Sequence, residues 1–157
     1  MIAQIDSWID QLNTHHREQR RPCSSLVNHL SGYFPSHFLA TSYFVVVDVV
    51  PKPNFSELRK MPGLDQFLDM KDDAITYKDT YYIARSCESN MPLHVHELVH
   101  VAQWRQLGER QFVQRYIDEL GTYGYKDAPL EVMAYYLQGC FEKRQPVEVL
   151  QYLAVHL

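Results

Sequence analysis

The sequence has little positive charge, no long hydrophobic run and few cysteines. Fifteen lysines and arginines stand against nineteen aspartates and glutamates, a net charge of −4. Electrostatic binding to nucleic acid needs a basic face, which this balance does not favour. The longest apolar run, from Tyr43 to Val50, contains Asp48 and is far shorter than the ~20 residues of a membrane-spanning helix. We therefore expect neither a nucleic-acid partner nor a membrane anchor.

The cysteines and the N-terminal residues indicate the compartment. Cys23, Cys87 and Cys140 are widely spaced and form no Cys-x-x-Cys pair, which argues against a disulfide framework and a thiolate zinc site. The first ten residues carry two aspartates and lack the basic start and apolar stretch of a signal peptide. The sequence thus predicts a reduced protein of the cytoplasm.

The pattern of apolar residues predicts an α+β fold built as one domain over residues 1–157. Helical spacing over residues 2–20 is followed by a β-branched strand at 43–50 and a hairpin at 75–83. Capping residues, prolines and glycines then delimit four helices. The expected order is an N-terminal helix, a small, mostly antiparallel sheet and a helical half. The four helices cover about 92–107, 109–120, 129–143 (capped by Asp127) and 146 to the C-terminus.

A His-Glu-x-x-His pattern lies in the predicted helix 92–107, at His96, Glu97 and His100. Four residues advance a helix by ~400°, so the two imidazoles lie one turn apart on one face and can bind one metal ion. Glu97 lies beside them and can serve as general base for a metal-activated water. The rest of the helix is largely apolar, and buried histidines there require a partner. The pattern predicts one Zn²⁺ per chain.

A catalytic zinc needs a third protein ligand. No histidine follows within ten residues of His100, so the longer metzincin pattern is absent and a carboxylate from a later helix is expected. Glu131 is favoured because its helix is mostly apolar and an unpaired charge there is costly. A first-turn carboxylate that interacts with the helix dipole is the alternative interpretation. The acidic candidates are Glu109, Asp118, Glu119, Asp127, Glu131, Glu142 and Glu148.

These two segments together resemble a known class of enzymes. The stretch from His96 to His100 with Gln103, followed by a Tyr-rich loop and the sequence Ala128 to Tyr135, is similar to the gluzincin zinc metallopeptidases, in particular the small bacterial minigluzincins. The resemblance covers about residues 80–139. It implies a zincin-like fold, with His96, His100 and Glu131 as ligands and Glu97 as base. Many larger relatives carry an Asp where this chain has Tyr135.

Tyrosines surround the expected third ligand. Tyr125 or Tyr135, or the nearby Tyr123, can donate a hydrogen bond to the oxyanion of a tetrahedral intermediate, or simply pack with a partner for the hydroxyl. Residues 80–85, just before the active-site helix, can form an edge strand that pairs with an extended peptide, or an ordinary sheet strand. His94 lies about 200° from His96 around the helix and is not expected to be a ligand.

The sequence therefore predicts a zinc-dependent metallopeptidase that acts on a peptide or protein substrate. The alternative is a non-enzymatic or regulatory metal-binding module on the same scaffold, because a fold does not determine a function.

Overall fold

Nine α-helices and four strands form an α+β fold in the computed structural model, which describes all 157 residues. In chain order they are α1 (Ile2–His15), β1 (Arg21–Pro22), α2 (Val27–Leu30), α3 (Ser36–Ala40), β2 (Tyr43–Val47), α4 (Ser56–Arg59), α5 (Leu64–Asp69), β3 (Ala74–Tyr77), β4 (Thr80–Ala84), α6 (Met91–Leu107), α7 (Glu109–Tyr123), α8 (Pro129–Glu142) and α9 (Val149–His156). No helix combines the length and the hydropathy that a membrane crossing requires.

The four strands form one mixed sheet in the order β1-β2-β4-β3. β3 and β4 make the expected antiparallel hairpin, and Lys78 in its turn takes a left-handed conformation. Two of the three strand pairings are antiparallel, as expected of a mostly antiparallel sheet, whereas β2 and β4 at the centre pair in parallel over five residues. The chain leaves the sheet after β2, passes through α4 and α5, and returns as β3. The hairpin turn then makes β4 run in the same direction as β2.

The strand order also decides between the two alternatives for residues 80–85, which form an ordinary sheet strand and not an edge strand. β4 lies between β2 and β3, so both of its edges are paired within the sheet. The outer strand next to the hairpin is β3 instead. Sequence patterns report which residues form strands, whereas the order of the strands depends on contacts between distant segments.

The helix that carries His96 and His100 lies at the centre of the molecule. α6 begins at the expected cap, where Asn90 Oδ1 accepts a hydrogen bond from the Leu93 amide at 3.2 Å, and it ends at Gly108. It packs against β3 and β4 on one side and against α7, α8 and α9 on others. Every residue from His94 to Trp104 is consequently buried.

The start of α8 differs from the expectation in one detail. Asp127 does not cap this helix. The Leu130 amide donates instead to Glu119 Oε1 at 2.7 Å, and Arg115 donates to the other Glu119 oxygen. Glu119 in α7 is therefore a buried structural residue. It holds the first turn of α8 at Leu130, the residue that precedes Glu131.

Two apolar clusters form the core on either side of α6. The first joins α3, β2, β4, α8 and α9, and the second joins α1, α5 and α7 with the opposite face of the sheet. All three cysteines are free, as expected from their spacing.

Candidate metal centre

His96, His100 and Glu131 meet at the contact between α6 and α8. The Nε2 atoms of the two histidines are 3.2 Å apart. Glu131 Oε2 lies 3.1 Å from His96 Nε2, and Glu131 Oε1 lies 3.3 Å from His100 Nε2. These three side chains form the one group in the structure that could hold a metal ion with three His, Cys, Asp or Glu ligands.

The spacing of these atoms fits a tetrahedral ion. Zinc binds nitrogen and oxygen ligands at ~2.0–2.1 Å, which places neighbouring ligand atoms about 3.3–3.4 Å apart in a tetrahedron. The separations of 3.1–3.3 Å are close to that edge length, and the two that involve Glu131 end on different oxygens of its carboxylate. All three side chains are 2–5% exposed, so their polar atoms have little access to solvent. The donor set therefore fits a bound metal in both chemistry and geometry.

Two glutamines determine which nitrogen of each ring faces this group. Gln103 Nε2 donates to the Leu130 carbonyl at 3.0 Å, so Gln103 Oε1 must be the atom 2.8 Å from His100 Nδ1. In the same way, Gln138 Nε2 donates to Glu142, and Gln138 Oε1 lies 3.1 Å from His96 Nδ1. An amide oxygen only accepts, so each Nδ1 carries a proton.

The consequence is that both neutral rings present the lone pair of Nε2 to the same point. Two lone pairs at 3.2 Å repel one another unless a proton or a cation lies between them. Hydrogen bonds from the remote nitrogen to an acceptor are the usual way in which proteins orient histidine ligands. Gln103 and Gln138 are thus positioning residues that prepare both histidines for a metal.

The electrostatics agree with this arrangement. Burial disfavours the charged form of Glu131, but the adjacent His100 and His96 outweigh it and hold the pKa of Glu131 below its usual range. Burial likewise opposes a charge on His100, whereas the Glu131 carboxylate raises the pKa of His100 to about 9. The pair thus favours a protonated His100 beside an ionised Glu131.

Glu97 lies next to this group in α6, and it lines one cavity together with His96, His100 and Glu131. Burial raises the pKa of Glu97, against the opposing effect of His96 and His100. Thr76 of β3 donates through Oγ1 to the Glu97 backbone carbonyl at 3.1 Å and lies 3.5 Å from Glu97 Oε2. The sheet thereby holds this turn of α6, and the carboxylate is a buried acid whose affinity for a proton is raised.

The structure also brings Tyr125 and Tyr135 to the centre. Their hydroxyl oxygens are 3.2 Å apart, and the Tyr135 ring packs edge-on against His96 with 4.4 Å between centroids. Burial raises the pKa of Tyr125 and of Tyr135, so both hydroxyls keep their protons and can donate. Tyr135 is 47% exposed and therefore lies at the outer side of the centre. Tyr123 is exposed.

Tyr116 is a residue of the centre that sequence reasoning missed. Its hydroxyl donates to Glu131 Oε1 at 2.7 Å from the neighbouring helix α7. Burial raises the pKa of Tyr116, so this donor is retained at all ordinary pH values. In the sequence Tyr116 is one of several aromatics of an amphipathic helix, and only the packing of α7 on α8 distinguishes it.

His94 and five of the other acidic candidates have other partners. His94 is turned away, as expected, and hydrogen-bonds with the Tyr81 hydroxyl at 2.6 Å and the Glu88 carbonyl at 2.8 Å. Among the acids, Glu109 pairs with Lys78, Asp118 accepts from Gln114, and Glu142 accepts from Gln138. Glu119 accepts from Arg115 and from the Leu130 amide, and Glu148 accepts from the Gln151 amide.

Comparison of the chain with protein-family models, with curated proteins and with solved structures yields no match. The functional argument therefore rests on the residues and on their geometry.

Proposed function

We propose that this protein is a zinc-dependent metallopeptidase of the gluzincin type with a zincin-like fold. The observation that carries the proposal is the convergence of the two Nε2 atoms and the two Glu131 oxygens at separations of 3.1–3.3 Å, with Glu97 lining the cavity beside them. Two imidazoles and one carboxylate are a donor set of catalytic zinc sites, which leave a fourth position for water or substrate.

The metal and the residues around it have separate roles in this proposal. Zinc, when bound, would polarise a scissile carbonyl and lower the pKa of water to about 7. The Glu97 carboxylate would take a proton from the attacking water and pass it to the leaving amine. Tyr125 or Tyr135 would donate its hydroxyl proton in a hydrogen bond to the developing oxyanion. The polypeptide itself thus contributes the proton carrier and the oxyanion donor.

Metal content is the first test. We expect one zinc per chain by elemental analysis of the wild type, and a large loss of zinc in Glu131→Ala. Asp118→Ala is the matched control, because Asp118 is an acid of the neighbouring helix that contacts only Gln114 in the structure. A wild-type protein that retains no zinc after incubation with the metal would refute the proposal.

Hydrolysis is the second test. Zinc-loaded wild type is expected to cleave members of a peptide library, and Glu97→Gln should keep the metal while activity falls by about 10²–10⁴-fold. If Glu97→Gln cleaves as well as the wild type, the assigned base is wrong. The enclosed position of the ligands, each at most 5% exposed, also suits a metal that only stabilises the fold. Zinc binding without cleavage of any peptide would favour that metal-binding module instead.

A further inference from the structure

A polar cleft lies between the second half of α1, the turn of the β3–β4 hairpin and the end of α6. It measures about 1020 Å³, at the upper end of the ~300–1,000 Å³ that is typical of ligand pockets. Only two of its 13 lining residues, Tyr43 and Trp104, are hydrophobic, so the cleft does not suit an apolar ligand. His96, His100 and Glu131 do not line it, and it is therefore separate from the metal centre.

Three arginines that line this cleft have fewer carboxylate partners than their charges require. Arg20 forms the only ion pair among them, with Asp79 at 3.6 Å. Arg105 donates to the hydroxyl and the carbonyl of Thr41 and to no carboxylate. Arg17 is exposed to solvent. Three guanidinium groups thus share one carboxylate, in a chain whose net charge is −4.

The other charged groups of the cleft are engaged with one another. The Lys78 ammonium lies 2.7 Å from Asp10 and 3.1 Å from Glu109, and it also contacts Asp6 at 2.8 Å. These carboxylates surround a lysine and not the arginines. The positive charge that lacks a partner is therefore that of the arginines.

The bottom of the cleft holds a hydrogen-bond donor without a partner. Trp104 is 4% exposed, and its ring is stacked on Phe112 with 4.2 Å between centroids. The indole Nε1 of Trp104 is buried and has no hydrogen-bond partner. An indole nitrogen only donates, and buried donors without an acceptor are rare in folded proteins. A ligand with acceptor oxygens would supply the missing partner.

The donors of the cleft indicate the chemistry of the ligand. Guanidinium and indole groups donate hydrogen bonds and accept none, so they suit an anion with several acceptor oxygens. The planar fork of an arginine matches the oxygens of a phosphate, and a phosphate monoester carries up to two negative charges. The exposed Thr14 hydroxyl and the carboxylates at the rim can bind hydroxyl groups on the rest of such a ligand.

We propose that this cleft binds a small phosphate ester with a polar remainder, of the sugar phosphate class, and that Arg17, Arg20 and Arg105 hold the phosphate. Arg17 and Arg20 follow α1 in sequence, whereas the fold brings Arg105 to them from the end of α6. The proposal depends neither on the metal centre nor on the peptidase function.

Calorimetric titration of the metal-free protein, dialysed free of chelator, tests the proposal. At low ionic strength we expect ribose 5-phosphate to bind more tightly than inorganic phosphate, and ribose not to bind. Sodium chloride should weaken the binding of both phosphates, because salt screens exposed charges.

Variants of the cleft locate the binding. Arg17→Gln and Arg105→Gln should each weaken the binding of ribose 5-phosphate about 5–10-fold, because each removes a charged hydrogen-bond donor. Arg17 forms no ion pair, so its replacement leaves the fold intact. Trp104→Phe keeps the stacking on Phe112 and should weaken binding about threefold through loss of the donor. Arg144→Gln is the matched control, because Arg144 is exposed and does not line the cleft.

Each contrary outcome overturns a stated part of the proposal. If neither phosphate binds the wild type, or if Arg17→Gln and Arg105→Gln bind as tightly as the wild type, the cleft is not a phosphate site. Inorganic phosphate that binds as tightly as ribose 5-phosphate would remove the role of the polar remainder. Binding of single-stranded DNA without binding of ribose 5-phosphate would indicate a surface for polyanions instead. None of these measurements involves zinc, so they leave the proposed peptidase function untouched.

Discussion

Replacing Gln103 with methionine removes both the acceptor for His100 Nδ1 and the donor to the Leu130 carbonyl. Gln103 is fully buried, so both groups lose their partners without gaining water. Each buried polar group left unpaired costs about 1–3 kcal/mol, and the metal-free variant should lose about 2–6 kcal/mol of unfolding free energy. Loss of an outer partner of a metal ligand also weakens metal binding by about 10–100-fold.

Gln138→Met is the matched variant, because Gln138 holds His96 as Gln103 holds His100. Gln138 is half-buried and its amide donates to the exposed Glu142 carboxylate, so water can replace that contact. We expect a similar loss of zinc affinity with less than about 1 kcal/mol of lost stability. Gln103→Glu keeps the acceptor and loses the donor, and it should retain zinc affinity while stability falls.

The two quantities are measured separately for each variant. Urea denaturation in the presence of a chelator reports the stability of the metal-free protein, and competition against a zinc-binding dye reports affinity. Zinc affinity equal to that of the parent in both methionine variants would refute the argument that the glutamines orient the two histidines.

Other predictions concern pH and the packing around the centre. Because the pKa of His100 is raised from 6.5 to about 9, zinc must displace its proton below that pH, and zinc affinity should rise up to tenfold per pH unit towards pH 9 and then level off. The interaction of His100 with Glu131 also stabilises the metal-free protein; this contribution is complete below pH 6.5 and is lost as the pH rises through 9. Zinc competition titrations and urea denaturation at several pH values measure the two trends, and flat profiles would contradict them. Gly63→Ala should lose about 2–4 kcal/mol of stability in urea denaturation, because Gly63 has φ +79 and an added Cβ would collide with the Leu120 carbonyl. Gly32→Ala has only the backbone cost of about 1 kcal/mol, since its φ is +91 and its surroundings are open, and equal losses would refute the steric argument. Lys52 donates to the Phe67 and Met70 carbonyls at 2.7 Å and forms an ion pair with Asp72. Lys52→Met should therefore lower the free energy of unfolding by about 3–5 kcal/mol, and the added substitution Asp72→Leu should restore part of it. Thermal unfolding of the single and the double variant measures both effects, and no recovery in the double variant would contradict the argument.

Local sequence signals predicted most of the elements. The helix around His96 was predicted closely because Asn90, Pro92 and Gly108 are strong local signals for its ends. The hairpin of β3 and β4 was likewise confirmed. The prediction that His96, His100 and Glu131 meet agrees with their positions, whereas the identity of the metal, the enzymatic activity and the cytoplasmic location stay predictions.

Local patterns left open, or missed, what contacts between distant segments decide. The parallel pairing of β2 with β4, and the central position of β4, depend on the path of the chain through α4 and α5. Glu119 is predicted only as one of several acidic candidates for the metal, yet it is buried and binds the Leu130 amide at the start of α8. No local pattern distinguishes such a buried acid from an exposed one.

What the sequence determined by itself is which side chains of α6 lie together, since helical periodicity alone places His96 and His100 on one face with Glu97 beside them. Only the tertiary structure decided how these side chains are oriented and how deeply they are buried. Gln138 and Tyr116 reach the ligands from helices that the sequence places without stating how they pack. The cavity beside the centre is lined by residues of α1, α5 and α7 as well as α6, which are distant from one another in sequence. Periodicity is a property of one segment, whereas the arrangement of several segments results from the packing of all their side chains at once.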